Sequence, residues 1–249
     1  MYIEDDGIKL HIELAKPESG KDKYPLVIII HGITGNMNER HLTALSEMFV
    51  ENGYAALRVD MYGHGESGGA FRDHTYFKWM TNAMTVIDYA RSLDFVSDIY
   101  LCGHSQGGVT VMLAAALKYE NIKGLIALSP SVMRPEQARC GLLFGNKFDP
   151  RNIPEEFPLW ADKVLGGNYV RVSRTIHVEN YIDSYDKPVL IVVGTEDNPE
   201  LVASCACAAD RYSNCRYVEI KGDTHCYDNH LDQMVGTVRE WMIGGAGRT

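Results

Sequence analysis

Ser105 stands in Gly103-His104-Ser105-Gln106-Gly107, a G-x-S-x-G pattern. An apolar stretch, Ile99–Cys102, precedes it, and an Ala- and Leu-rich stretch follows from Gly107. A strand before and a helix after predict a sharp turn, and small neighbours are what such a turn needs. The turn would hold the hydroxyl at the edge of a sheet, near the positive end of a helix. The plainer reading of the same serine is a helix N-cap. A serine hydroxyl attacks a carbonyl only if a base takes its proton. "EIKGDTHCY" supplies His225 after the last apolar run. His230 falls in or at the cap of the final helix, and His177 has no strand to hold it. The imidazole in turn needs a carboxylate to fix its tautomer and stabilise its charged form. "VLIVVGTEDNPE" places Asp197 three residues past Gly194, with Glu196 as its rival. Asp223 is close in sequence but awkwardly placed to reach the ring two residues away.

The charge that develops on the attacked oxygen calls for two backbone N–H donors. One is expected from Gln106, after the nucleophile. The other is expected from Ile33, in the "HGITGN" loop after the "LVIII" run. His31 reads as a structural residue before that loop. His64, among the glycines of "DMYGHGES", reads as a loop residue without chemistry. The six cysteines form no C-x-x-C pair, and the Cys and His spacings fit no zinc-finger or ribbon template. No metal and no cofactor is expected.

These residues need a frame. Asp6-Gly7 between two alternating runs predicts a hairpin, Met1–Glu4 with Ile8–Ala15. Leu26–Ile30, nearly all β-branched, suits a strand buried on both faces of a parallel sheet. Further strands are expected at Ala55–Val59, Ile99–Cys102, Leu125–Leu128, Val189–Val193 and Arg216–Ile220. Helical patterns alternate with them at His41–Asn52, Tyr76–Ser92, Gly107–Tyr119, Pro199–Tyr212 and Leu231–Ile243. About eight strands with crossover helices imply an open, doubly wound α/β sheet in one domain, with ligands beyond the carboxyl ends of the strands. Residues 131–187 break the rhythm. They hold four prolines, Gly166-Gly167 and no clear buried strand. A stretch this long is expected to be a lid or binding insertion rather than structureless chain. The tail "GGAGRT" is expected to fray.

The 249 residues are 45% hydrophobic and 23% charged, as a globular chain requires. A net charge of −9 without basic clusters argues against a nucleic-acid partner. The longest apolar run falls far short of the roughly 20 residues that span a bilayer, so no membrane role is expected. The N-terminus lacks a basic region followed by an apolar stretch, so the expected location is cytoplasmic, with reduced thiols. Assembly as a homodimer is left open.

Together, HGITGN, DMYGHGES, GHSQGG, GTED and GDTH, in this order and spacing, resemble the α/β-hydrolase superfamily over essentially the whole chain. More narrowly, HGITGN, GHSQGG and "FDPRNIPEEFPLWADKVLGGNYVR" resemble bacterial feruloyl (cinnamoyl) esterases. The resemblance implies hydrolysis of hydroxycinnamate esters of plant cell-wall sugars or quinate. It also implies that residues 131–187 form a lid holding the phenolic end of the acyl group. Gln137, Trp160 and Tyr169 match that role. Trp160 would offer a flat wall, and Gln137 and Tyr169 hydrogen bonds. Their alternative is plain packing of the lid onto the core. Phe144 stands where related enzymes would lead one to expect a polar lid residue. Two other functions compete. One is an esterase for short aliphatic or monoacylglycerol esters. The other is a non-catalytic small-molecule receptor on the same fold, which would usually have lost a member of the triad.

Overall fold

The computed structural model describes residues 1–18 and 20–244. Strands β1 (Tyr2–Asp5) and β2 (Ile8–Ala15) pair antiparallel across a two-residue turn. Asp6 and Gly7 both have positive φ, 48° and 75°, as the tight hairpin turn that matches strand twist requires. The chain then alternates strand and helix. β3 (Tyr24–Ile30), α1 (Arg40–Glu51), β4 (Ala55–Val59), α2 (Tyr76–Arg91), β5 (Val96–His104), α3 (Gln106–Leu117) and β6 (Ile122–Leu128) lead to residue 128.

An insertion follows. It contains α4 (Arg134–Arg139), the two-residue strands β7 (Leu142–Leu143) and β8 (Asn146–Lys147), and β9 (Glu156–Pro158) with β10 (Val164–Gly166). It ends in α5 (Gly167–Ser173) and α6 (Val178–Asp183). The main rhythm resumes with β11 (Val189–Gly194), α7 (Pro199–Arg211), β12 (Cys215–Ile220) and α8 (Leu231–Ile243).

Eight strands form one sheet in the order β1-β2-β4-β3-β5-β6-β11-β12. The pairings β1–β2 and β2–β4 are antiparallel, and the other five are parallel. The alternation in β3 shows why its run is apolar throughout. Leu26, Ile28 and Ile30 join the layer that holds Val86 of α2, Val109 of α3 and Leu201 of α7. Val27 and Ile29 join Leu45 of α1 and Val238 of α8 on the opposite face. Each such burial contributes about 1.5–3 kcal/mol. This is an eight-stranded, mostly parallel sheet with helices on both faces, as the strand pattern led one to expect, and it is the architecture that the resemblance to α/β hydrolases implies.

Several boundaries differ from expectation by one to three residues, as where β6 begins at Ile122 rather than Leu125, and two of the differences show why. β5 runs from Val96 to His104 rather than over Ile99–Cys102. Its first residues are only partly covered and pair through the backbone, as in Tyr24↔Val96, so the apolar pattern marked only the doubly buried part. α3 stops at Leu117, because Lys118 leaves the helical region and Tyr119–Asn121 tighten into a 3₁₀ turn. Of the tail expected to fray, Gly244 caps α8, and residues 245–249 lie outside the described residues.

The short strands of the insertion pair with each other in two small hairpins and do not join the main sheet. α6 packs back on α3, α5 touches α2 and α4, and β10 lies against the turn at residues 71–73. The insertion thus covers one helical layer and reaches the carboxyl ends of the strands.

Candidate active site

The junction of β5 and α3 is closed by backbone contact. A Cβ at Gly103 would meet the backbone of Gly107 and Gly108, and one at Gly107 would meet the carbonyl oxygens of Ile30 and His31. No side chain fits at either position. Between them Ser105 adopts φ 55°, ψ −115°, a conformation that costs a non-glycine residue about 1–3 kcal/mol. Its N–H donates to Leu128 O (2.8 Å), and its carbonyl accepts from Ser131 (3.2 Å) and Val109 (3.2 Å). The strain is therefore held by β6, the loop after it and the first turn of α3.

Ser105 lines a cavity of about 460 Å³ beyond the strand ends. His225, from the loop after β12, and Asp197, from the loop after β11, line it too. His225 Nδ1 donates to Asp197 Oδ2 at 2.6 Å, which leaves Nε2 of the imidazole free to act as a base. The Asp197 side chain is only 5% exposed, so solvent screens its charge little. Its other oxygen accepts from Asn198 N–H (2.6 Å). Asn198 also caps α7, accepting from Glu200 and Leu201 with Pro199 in the first turn. The rival carboxylates are placed otherwise. Glu196 is exposed, and only its backbone is engaged, on Asp223 O. Asp223 is fully buried and accepts from Thr224 and Asn229 N–H, bracing the histidine loop.

That loop is tied to the serine turn. His104, next to Ser105, places Nε2 2.9 Å from the carbonyl of His225. On the far side, Tyr227 donates to Val192 O (2.8 Å). The relative placement of serine and histidine loops is thus fixed from two sides by buried hydrogen bonds.

Ile33 lines the cavity in the loop after β3. Neither its N–H nor that of Gln106 has a hydrogen-bond partner among the described residues. The Gln106 side chain turns into the protein, where Oε1 accepts from Tyr169 OH (2.8 Å). Behind the Ile33 loop lies a histidine cluster. His31 Nε2 accepts from Met61 N–H (3.0 Å), and His64 Nε2 accepts from Thr34 N–H (3.4 Å). Burial pushes His31 down to about 4 and His64 to about 2, so both are neutral braces.

The three insertion residues separate. Trp160 lines the cavity, and its Nε1 donates to Thr34 Oγ1 (3.1 Å). Gln137 and Tyr169 do not line it. Gln137 is clamped between Arg134 Nη1 and Glu200 Oε2, both at 2.6 Å. Tyr169 is fully buried and spends its hydroxyl on Gln106. The reason is local: Gln137 and Tyr169 are buried and bonded to α7 and α3, whereas Trp160 is half exposed at the turn between β9 and β10. Sequence reasoning missed Arg134, Met133, Leu201 and Glu39, which also line the cavity. Arg134 stacks over Phe144 at 4.1 Å, and Phe144 meets Trp160 edge to face at 5.4 Å. Position just past β6 could have drawn attention to Met133 and Arg134. Nothing in the local pattern singles out Glu39.

The family model described as serine aminopeptidase, S33 matches residues 21–159, more than half of the chain. The solved structure of Est1E from Butyrivibrio proteoclasticus with ferulic acid bound is 54% identical, covers 98% of both chains and superposes with a TM-score of 0.96. Alpha/beta hydrolase domain-containing protein 10 from mouse shares the fold at 18% identity and a TM-score of 0.76. Among curated proteins, the mitochondrial palmitoyl-protein thioesterase ABHD10 of Bos taurus is 30% identical over 112 residues, 45% of this chain. The quorum-quenching protein AidA of Acinetobacter baumannii is 37% identical over 119 residues, 47% of this chain. The matches span 35% and 38% of these two relatives, well under half of their length. By its family model and its end-to-end likeness to Est1E, the chain belongs to the serine aminopeptidase S33 family of α/β hydrolases.

Proposed function

We propose that this chain is a serine carboxylesterase that hydrolyses hydroxycinnamoyl, feruloyl-type, esters of plant cell-wall sugars or quinate through an acyl-enzyme. The observation that carries the reading is the 2.6 Å Asp197–His225 contact at a cavity that also holds Ser105 on its strained turn. The 54% identity to a protein solved with ferulic acid supports the acyl group. The cavity size is that of small-molecule sites.

In this mechanism His225 Nε2 takes the Ser105 proton as Oγ attacks the ester carbon. Asp197 stabilises the imidazolium that results. The unpartnered N–H groups of Ile33 and Gln106 receive the oxyanion. The alcohol leaves with the proton from His225. Water then gives its proton to His225 and attacks the acyl carbon, and His225 returns that proton to Ser105 Oγ as the bond to the serine breaks and the acid leaves. Residues 131–187 act as the lid. With Gln137 and Tyr169 engaged elsewhere, the aromatic acyl group meets Trp160, Phe144 and Arg134. Six unpaired thiols fit a reducing, cytoplasmic setting. No described helix is long and apolar enough to cross a membrane.

The test is kcat/KM for methyl ferulate against p-nitrophenyl butyrate, with Ser105→Ala as the blank. Preference for ferulate is expected. Preference for butyrate would move the reading to aliphatic esters. Failure of the native protein to react with a fluorophosphonate would leave the receptor reading instead.

A further inference from the structure

Beside the serine turn, three side chains leave polar atoms without hydrogen-bond partners: Glu39 Oε2, His41 Nε2 and His104 Nδ1. Each of the three residues offers one ligand atom, and these atoms all lie within 4.8 Å of one another. His41 and His104 are 3% and 2% exposed, and their rings meet edge to face at 4.3 Å. Two buried imidazoles and a partly buried carboxylate, each with an unpartnered buried atom and lying this close together, are costly unless something joins them. We infer that Glu39, His41 and His104 form a binding site for a divalent late first-row transition-metal ion, with Zn²⁺ as the fitting probe.

The chemistry of the donors points that way. Two imidazoles and one carboxylate are a borderline-soft set that suits Zn²⁺ and disfavours Mg²⁺ or Ca²⁺. The tautomer is correct at His104. Its Nε2 faces the His225 carbonyl, which can only accept, so Nε2 carries the proton and Nδ1 keeps its lone pair. A ligating histidine whose other nitrogen donates to a backbone carbonyl is the usual supporting arrangement. The carboxylate is confined as well: a Cβ at Gly35 would run into it. Bonds of about 2.0–2.1 Å to nitrogen bring tetrahedral ligands to roughly 3.4 Å apart, so the side chains close in by about an ångström or slightly more. Glu39 and His104 both line the active-site cavity, which gives an ion a way in. Once bound, its positive charge lies beside the loop of His225 and opposes formation of the imidazolium. The site is therefore inhibitory. That consequence rests on the esterase reading; binding itself does not.

The experiment is calorimetric titration of EDTA-stripped, dialysed protein with ZnCl₂, with Co²⁺ absorption as a second readout. One Zn²⁺ per chain and a visible Co²⁺ band are expected. His41→Gln should weaken binding at least about tenfold and abolish the Co²⁺ band. It should keep its esterase activity in EDTA and resist inhibition by Zn²⁺. Should His41→Gln not fold, Glu39→Gln in the same titration serves instead. Absence of stoichiometric binding would overturn the inference, since a bridging water would then satisfy the three atoms. So would unchanged affinity in the variants, or binding lost only in Cys226→Ser, which removes a thiol that also lines the cavity.

Discussion

Asp197→Asn tests the proposed chemistry most sharply. In the native protein the carboxylate is almost fully buried and 2.6 Å from His225 Nδ1. When His225 takes the serine proton, opposite charges stand about 4 Å apart between group centres. At an effective dielectric constant near 20 this is worth about 4 kcal/mol, or roughly a thousandfold in rate. The amide replacement removes that charge. It can also present its NH₂ to Nδ1 and so select the wrong tautomer, which carries the expected loss in kcat to about 10³–10⁴. KM should stay within about threefold, because the interaction is made in the transition state and not with bound substrate. Initial rates on methyl ferulate and p-nitrophenyl butyrate, with Ser105→Ala as the floor, give the number. Fluorophosphonate labelling should slow in parallel. A loss smaller than about tenfold would refute the assignment, as would an equal loss in Glu196→Gln, whose exposed carboxylate has no hydrogen-bond or ion-pair partner among the described residues.

Four further outcomes are expected. Trp160→Ala should lower kcat/KM for methyl ferulate about tenfold, the worth of an aromatic contact near 1.4 kcal/mol, while p-nitrophenyl butyrate changes little; equal losses on both esters would remove Trp160 from acyl recognition. Tyr227→Phe leaves the buried Ser129 hydroxyl without its partner and takes from the Val192 carbonyl one of its two donors, the other being Ser129 N–H, and should cost about 1–3 kcal/mol in urea unfolding. Gly107→Ala should fail to give stable protein, since its Cβ lands on the backbone of Ile30 and His31; a well-folded, active variant would show that the turn is looser than described. The last concerns pH. Burial raises Glu39 to about 7 from its ordinary 4.5, partly offset by the Gly32 amide and His225. A raised folded value means that its contribution is complete below about 4.5 and is lost as pH climbs through 7. Glu39→Gln should therefore gain Tm relative to the native protein as pH rises across that window, and parallel Tm curves would contradict the shift.

The sheet was legible because its central strands are covered on both faces. Leu26–Ile30 and Val189–Val193 can be little else when every position is apolar and β-branched residues dominate. The turns at strand ends were legible for the related reason that backbone contact excludes side chains, so Gly103 and Gly107 write themselves into the sequence. The same logic listed Ser105, Asp197 and His225 together, and the structure places all three on one cavity. The insertion was opaque. Its strands are two or three residues long, too short for any period to show, and Gln137 and Tyr169 could not be sorted from Trp160 without knowing which polar groups lay within reach. The Glu39–His41–His104 cluster was invisible to a search for ligand spacings, because two of its members open α1 and the third closes β5, more than sixty residues on.

The Tyr169–Gln106 hydrogen bond makes the insertion and the nucleophile one inheritance. A chain that exchanged this insertion for another would lose the hydroxyl that donates to Gln106 Oε1, and among the described residues neither that oxygen has a second donor nor Gln106 Nε2 a partner. The residue that follows the serine would then carry a wholly unsatisfied amide inside the protein. New substrate range through this segment must therefore come by changing the cavity wall around Trp160 and Phe144 while Tyr169 stays, rather than by replacement of the segment as a whole.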